Sequence, residues 1–121
     1  LGDSGVHWSF VSEKKKVELY ANARAVIFPS LFEGFGMPVL EALSYQVPVA
    51  CSDIPVLREV CGDLALYFDP KSIKSIESAM EKVAQRGRES DKQKSAHLLA
   101  QYSIEKMTRD TIAVYGGASK C

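Results

Sequence analysis

The stretch that decides the fold runs from Phe28 to Leu43 and reads Phe-Pro-Ser-Leu-Phe-Glu-Gly-Phe-Gly-Met-Pro-Val-Leu-Glu-Ala-Leu. It follows an apolar run of strand type, Ala25 to Phe28, and its loop contains Gly34 and Gly36. Pro38 then opens a helical pattern, since its missing N–H costs nothing in a first helical turn. The first N–H groups of a helix have no internal partner, and the helix dipole favours negative charge there. This order of strand, glycine loop and helix is therefore typical of an anion-binding site.

Two acidic residues, Glu33 and Glu41, frame the loop. An ionised carboxylate only accepts hydrogen bonds, so beside a phosphate site it is best suited to binding hydroxyl groups. A nucleotide-sugar carries both phosphate and sugar hydroxyls and would satisfy the whole set. The alternative interpretation is an ordinary strand-to-helix turn with two solvated acids, because short glycine motifs often occur without a ligand.

The segment Phe32 to Ala42 resembles the signature of the retaining glycosyltransferases of family 4, the group 1 glycosyl transferases. Their hallmark is Glu-x7-Glu, and Glu33 and Glu41 have that spacing. The similarity extends from about Val6 to Tyr115. The flanking segments that carry it are Val26–Ser30, Gln46–Ala50, Leu57–Asp63 (with Arg58 where the family has Pro) and Ala65–Pro70.

This resemblance implies a role for each motif residue. Glu33 would be the catalytic residue, in contact with the transferred sugar, and Glu41 would accept hydrogen bonds from ribose hydroxyls. The remaining donor-binding residues would be the loop and first helical turn, namely Gly34, Phe35, Gly36, Met37, Val39 and Leu40. The N–H groups of Phe35, Gly36 and Met37 would meet sugar hydroxyls and phosphate. The resemblance implies neither a metal nor a cofactor, since the nucleotide-sugar is a substrate.

The same resemblance places the chain in one half of one domain. Family members have two Rossmann-like domains facing a cleft, the GT-B arrangement, and this chain is similar to the second half of the C-terminal, donor-binding domain. The first two strands of that domain and the upstream basic residues have no counterpart here. We therefore expect the remainder of the enzyme as a partner, an inactive fragment in isolation, and self-association through an exposed sheet edge. A non-catalytic nucleotide-binding or assembly module is the alternative function.

Composition agrees with a single soluble domain of 121 residues. The hydrophobic content is 46%, the charged content 25% and the formal net charge zero, so no basic surface for nucleic acid is expected. No apolar run approaches the ~20 residues of a membrane span. We expect a partial domain at residues 1–115, a flexible tail at 116–121, and a cytoplasmic location or membrane attachment through other parts.

Three cysteines without metal-ligand spacing indicate buried thiols for Cys51 and Cys61 rather than zinc or disulfides.

Alternating strand and helix patterns predict an α/β fold with a parallel sheet of about four strands and flanking helices. The resemblance implies that this fold is a partial Rossmann-like unit. The predicted strands are Val6–Val11, Ala25–Phe28, Pro48–Cys51 and Ala65–Phe68. The predicted helix starts are Ser12, Pro38, Val56, Asp69, the capping box Ser90-Asp91-Lys92-Gln93, and Ser103. The helix after Asp69 has an apolar stripe of Ile73, Ile76, Met80, Val83 and Ala84, and the last helix has one of Ile104, Met107, Thr111, Ile112 and Tyr115.

Overall fold

The computed structural model describes residues 5–88 and 92–118 of the chain. Its centre is a parallel sheet of three strands in the order β1-β2-β3. The strands are β1 Val26–Phe28, β2 Val49–Ser52 and β3 Ala65–Phe68. In register, Val49 lies opposite Val26 on one side and opposite Ala65 on the other. The predicted α/β class with a parallel sheet is confirmed.

Six α-helices surround or extend from this sheet within the described residues: α1 Glu13–Asn22, α2 Met37–Ser44, α3 Pro55–Cys61, α4 Ile73–Gln85, α5 Lys92–Gln101 and α6 Ile104–Ala118. A short 3-10 turn, Gly62–Leu64, joins α3 to β3. The predicted Ser12 cap is confirmed, because its side chain accepts a hydrogen bond from the Lys15 N–H. Within the described residues, no helix combines the length and apolar character needed to cross a membrane.

The core lies on both faces of β2, all four residues of which are buried. On one face, Val49 and Cys51 pack with the buried residues of α2 and α3. On the other face, Ala50 packs with Ala79 and Val83 of α4. This alternation follows the two-residue period of a strand, and burial on both faces is what a parallel sheet requires. Cys51 and Cys61 are free and buried, as predicted.

The predicted strand at Val6–Val11 is wrong. Residues 5–12 are irregular and mostly exposed, and Phe10 is 84% exposed. An apolar run forms a strand only where a neighbour supplies partners for its N–H and C=O groups. Within the described residues this segment does not pair with β1, and no strand lies on the outer side of β1. The sheet therefore keeps an open edge at β1.

Two helix details also differ from prediction. The cap of α4 is Ser72, which accepts from the Ser75 N–H, whereas Asp69 accepts from the Lys71 N–H and forms a preceding turn. The apolar stripes of α4 and α6 are only partly covered, with Ile73 83% exposed and Ile104 73% exposed. Sequence periodicity identifies the apolar side of a helix but does not supply a surface that covers it.

Two other predictions fall partly on residues that are not described. The capping box assigned to Ser90 and Asp91 lies outside the described residues, although α5 begins at Lys92. The last helix continues to Ala118, into the segment predicted as a tail, and residues 119–121 lie outside the described part.

Candidate functional site

The start of α2 is organised by Gly36. Its backbone has φ 93° and ψ 38°, a left-handed conformation, and its carbonyl accepts the Val39 N–H at 3.0 Å. A Cβ added at Gly36 would lie 2.6 Å from Cδ2 of Leu57, a fully buried side chain of α3. Glycine is needed here for both reasons, since it takes positive φ without strain and leaves room for Leu57. Leu57 thereby fixes the place where α2 begins relative to α3.

The loop before α2 presents unpaired amides. Within the described residues, the N–H groups of Phe35, Gly36 and Met37 donate to no protein acceptor. Phe35 and Met37 are exposed, and Gly34 has open space around its Cα. Free amides at the start of an eight-residue helix are suited to an anion or to hydroxyl oxygens.

The Glu41 carboxylate is held by two side chains of α1. Lys16 Nζ donates to Oε1 at 3.1 Å, and the Tyr20 hydroxyl lies 3.2 Å from Oε2. The same hydroxyl is 3.3 Å from the Pro38 carbonyl oxygen. The side chain of Glu41 is 33% exposed, so the carboxylate remains open to a ligand.

These contacts shift the titration of the two α1 groups. Hydrogen bonds to Glu13 and Glu41 raise the pKa of Lys16, so its ammonium group is favoured. Burial first, and the negative charge of Glu41 second, raise the pKa of Tyr20, so its neutral phenol is favoured. At neutral pH the network is therefore a cation and a phenol donor facing one carboxylate.

Glu33 is held separately from Glu41. The Ser30 hydroxyl donates to Oε1 of Glu33 at 2.6 Å, and Glu33 is half-buried. Both residues belong to the loop that connects β1 with α2. This contact orients the Glu33 carboxylate from within its own loop.

A groove of about 600 Å³ lies between α2 and α6 beside the motif. Its lining is mostly apolar and includes Phe35, Met37, Leu40, Glu41, Tyr102 and Met107. The Phe35 and Tyr102 rings meet edge to face, with centroids 5.3 Å apart. Glu33 does not line this groove, so the two motif acids do not share it.

The other motif residues are placed as follows. Val39 is fully buried and Leu40 is 6% exposed, so both side chains pack mainly in the core beneath the helix. Near the start of α2, Gly34, Phe35 and Met37 are exposed, Glu41 is half-buried, Gly36 is buried, and Leu40 still contributes to the groove lining.

Lys16 and Tyr20 were missed from the sequence as members of the site. A run such as Lys14-Lys15-Lys16 is typical of a solvated helix face, and Tyr20 has the spacing of an apolar stripe with Val17 and Ala21. The signal that could have identified them is their spacing on α1, because residues four apart lie on one helix face. That spacing still does not say which element the face meets.

A second polar cluster lies at the carboxyl end of β2. Nη2 of Arg58 donates to Oδ2 of Asp53 at 2.8 Å, and the guanidinium lies 4.3 Å from the centroid of the Tyr67 ring. The hydrogen bond from Arg58 lowers the pKa of the Asp53 carboxyl. Within residues 5–88 and 92–118, no group of three or more His, Cys, Asp or Glu side chains could hold a metal ion.

Comparison with known proteins places these features in a family. The sequence profile described as Glycosyl transferases group 1 matches residues 2–104. O-antigen chain mannosyltransferase B of Escherichia coli is 38% identical over 108 residues, which are 88% of this chain and 28% of that protein.

Two further relatives have related names. O-antigen chain mannosyltransferase RfbU of Salmonella typhimurium is 46% identical over 67 residues, 55% of this chain and 19% of that protein. MMP alpha-(1->4)-mannosyltransferase of Mycolicibacterium hassiacum is 26% identical over 116 residues, 88% of this chain and 28% of that protein. The chain thus spans less than a third of the length of these relatives.

Proposed function

Because this chain belongs to the group 1 glycosyl transferases, we propose that it forms the donor-binding side of an enzyme that transfers a mannosyl group from a nucleotide-sugar to a glycan acceptor. The choice of a mannosyl group and of a glycan acceptor rests on the names of two relatives, which are both O-antigen chain mannosyltransferases. The observation that carries the donor-site proposal is the Gly36 start of α2, where free amides lie on the same short helix as a half-buried carboxylate, Glu41.

Different groups of the motif bind different parts of the nucleotide-sugar donor. The N–H groups of Phe35, Gly36 and Met37 bind oxygens of the diphosphate and of the sugar, with Gly34 allowing close approach of the backbone. Glu41 accepts hydrogen bonds from the ribose hydroxyls. Glu33, oriented by Ser30, contacts the transferred sugar. Of the two remaining predicted donor-binding residues, Val39 is fully buried and supports the helix from the core, whereas Leu40 lines the groove and would pack along the nucleotide.

The proposed reaction retains the configuration of the anomeric carbon and needs no metal. The bond from that carbon to the phosphate oxygen breaks, a bond to the acceptor hydroxyl oxygen forms, and the proton of that hydroxyl passes to the departing phosphate oxygen. Negative charge then develops on the departing diphosphate. Preorganised amides stabilise such charge without a reorganisation cost at the moment of reaction, and basic groups from outside this chain would add to them.

The chain on its own should be inactive, since it matches only 28% of the E. coli relative. The remainder of the enzyme is the expected partner, and it would carry the acceptor site in the cytoplasm, with any membrane attachment in those other parts. In the isolated chain the open edge of β1 would support self-association instead, because an unpaired strand edge readily accepts another strand.

The first prediction concerns Glu41 in the complete polypeptide that contains this segment. Glu41→Ala should lower kcat/KM for the nucleotide-sugar about 10-fold or more, because hydrogen bonds to a charged group contribute roughly 1.5–3 kcal/mol. The measurement is initial-rate kinetics with GDP-mannose, UDP-glucose and UDP-N-acetylglucosamine as donors.

Glu59→Ala on the exposed side of α3 is the matched control. An unchanged donor KM and turnover in Glu41→Ala would remove the donor assignment.

Calorimetry separates the enzyme from a non-catalytic nucleotide-binding module. Tighter binding of the nucleotide-sugar than of its nucleoside diphosphate indicates donor recognition, whereas equal binding without turnover supports the module.

A further inference from the structure

The Glu41 carboxylate has a defined number of positions left for a ligand. A carboxylate has about four acceptor positions, two on each oxygen. Lys16 occupies one on Oε1 and Tyr20 occupies one on Oε2. One position on each oxygen is therefore free, which matches two neighbouring hydroxyl groups of a single ligand.

Both α1 side chains are themselves held in place. The Tyr20 ring stacks on Tyr45 with centroids 5.6 Å apart and an angle of 13° between the rings. Lys16 Nζ bridges Glu13 Oε2 at 3.0 Å and Glu41 Oε1 at 3.1 Å. The ring stack sets the direction of the Tyr20 hydroxyl, and Lys16 Nζ lies between the Glu41 carboxylate and that of Glu13, whose side chain is 85% exposed.

An unsupported glutamate would not keep this orientation. The terminal torsion of Glu is broad and roughly two-fold, so a free carboxylate rotates between many orientations. Fixing it on binding would cost conformational entropy, and a group fixed beforehand avoids that cost. The contacts to Lys16 and Tyr20 supply this fixation before any ligand arrives.

We propose that Tyr20 and Lys16 are positioning residues that hold the Glu41 carboxylate with one free acceptor position per oxygen toward the two vicinal hydroxyls of the donor ribose. This inference rests on the proposed function, in which Glu41 binds the ribose. It assigns to α1, outside the glycine motif, a role in recognising the nucleotide as a ribonucleotide.

The test compares ribonucleotides with deoxyribonucleotides in the complete polypeptide. The probes are GDP against 2′-deoxy-GDP and UDP against 2′-deoxy-UDP, and binding is measured by calorimetry. Tyr20→Phe and Lys16→Met should each weaken binding of the preferred ribonucleotide about 3- to 10-fold and weaken binding of its 2′-deoxy analogue, which keeps only the 3′-hydroxyl, by a clearly smaller factor. Lys16→Arg, which keeps the cation, should retain most of the preference.

The controls change neighbouring groups of the same kind. Tyr45→Phe removes a hydroxyl from the same aromatic stack, and Lys15→Met removes an ammonium group that pairs with Glu18 instead. Both should preserve the ribose preference. A variant that merely loosens the fold would weaken both nucleotides alike, and this result for Tyr20→Phe and Lys16→Met would overturn the positioning role.

Glu41→Gln separates a failure of this inference from a failure of the proposed function. Loss of the ribose preference in Glu41→Gln, with full preference kept in Tyr20→Phe and Lys16→Met, overturns only the positioning role. No ribose preference in the unmodified enzyme, or an unchanged preference in Glu41→Gln, overturns the role of Glu41 and the inference with it.

Discussion

Replacement of Gly36 by alanine should destabilise the chain because two separate penalties meet at one residue. The left-handed backbone, φ 93° and ψ 38°, costs an L-residue about 1–2 kcal/mol. The new methyl group would also stand 2.6 Å from Leu57 Cδ2, and overpacking of this kind costs about 1–3 kcal/mol. Leu57 has no exposed surface, so it cannot simply turn into solvent. Reduced freedom of the unfolded chain returns about 0.4–1 kcal/mol, leaving a net loss of about 2–4 kcal/mol.

The assay is urea unfolding followed by far-ultraviolet circular dichroism. With a denaturant slope of about 2 kcal/mol/M, Gly36→Ala should lower the urea midpoint by about 1–2 M. Gly34→Ala is the matched control in the same loop, since its added Cβ meets no atom within 4 Å. Its unfolding free energy should stay within about 0.5 kcal/mol of the unmodified chain.

A double-mutant cycle tests the steric part of the reasoning. Leu57→Ala alone should cost about 2–5 kcal/mol, and it should cost at least about 0.5 kcal/mol less when Gly36 is already alanine, because the added methyl then has room. A loss in Gly36→Ala no larger than in Gly34→Ala would refute both the backbone and the packing arguments.

Two further predictions concern Tyr67 and the open sheet edge. Burial raises the pKa of Tyr67, whose hydroxyl donates to the Gly62 carbonyl at 2.6 Å, so the folded state favours the neutral phenol. The resulting stability is fully present below the pKa of about 10 in the unfolded chain and is lost as the pH rises through the higher pKa of the folded state. Tyr67→Phe should reduce this alkaline loss of stability and remove one high-pH step from the absorbance titration of tyrosine at 295 nm. An unchanged titration would contradict the assignment. At the edge, the Val26 N–H donates to Pro48 in the sheet, so the N–H of Ile27 points away from β2. The isolated chain should therefore show a mass that rises with concentration in light scattering, reduced by Ile27→Pro; a monomer at every concentration would argue against edge pairing.

Most of the local structure could be predicted from sequence, because it depends on neighbours a few residues apart. Gly36 and Pro38 mark the start of α2, Ser12 marks the start of α1, and an apolar run marks β3, all as expected. The same reasoning identified Gly36 and Glu41 as candidate site residues. Periodic patterns failed where a partner was needed. In the described part of the chain, residues 6–11 have strand character but pair with no strand, and the apolar side of α6 is only partly covered.

The sequence by itself determined the family, the parallel α/β class and the loop that carries Glu33 and Glu41. Only the tertiary structure decided that Glu41 meets Lys16 and Tyr20, which lie 25 and 21 positions earlier in the chain. It also decided that Leu57 fills the space beside Gly36. The physical reason is that caps and helical periods are set by hydrogen bonds within one turn, whereas contacts between α1, α2 and α3 depend on how those helices pack against the sheet.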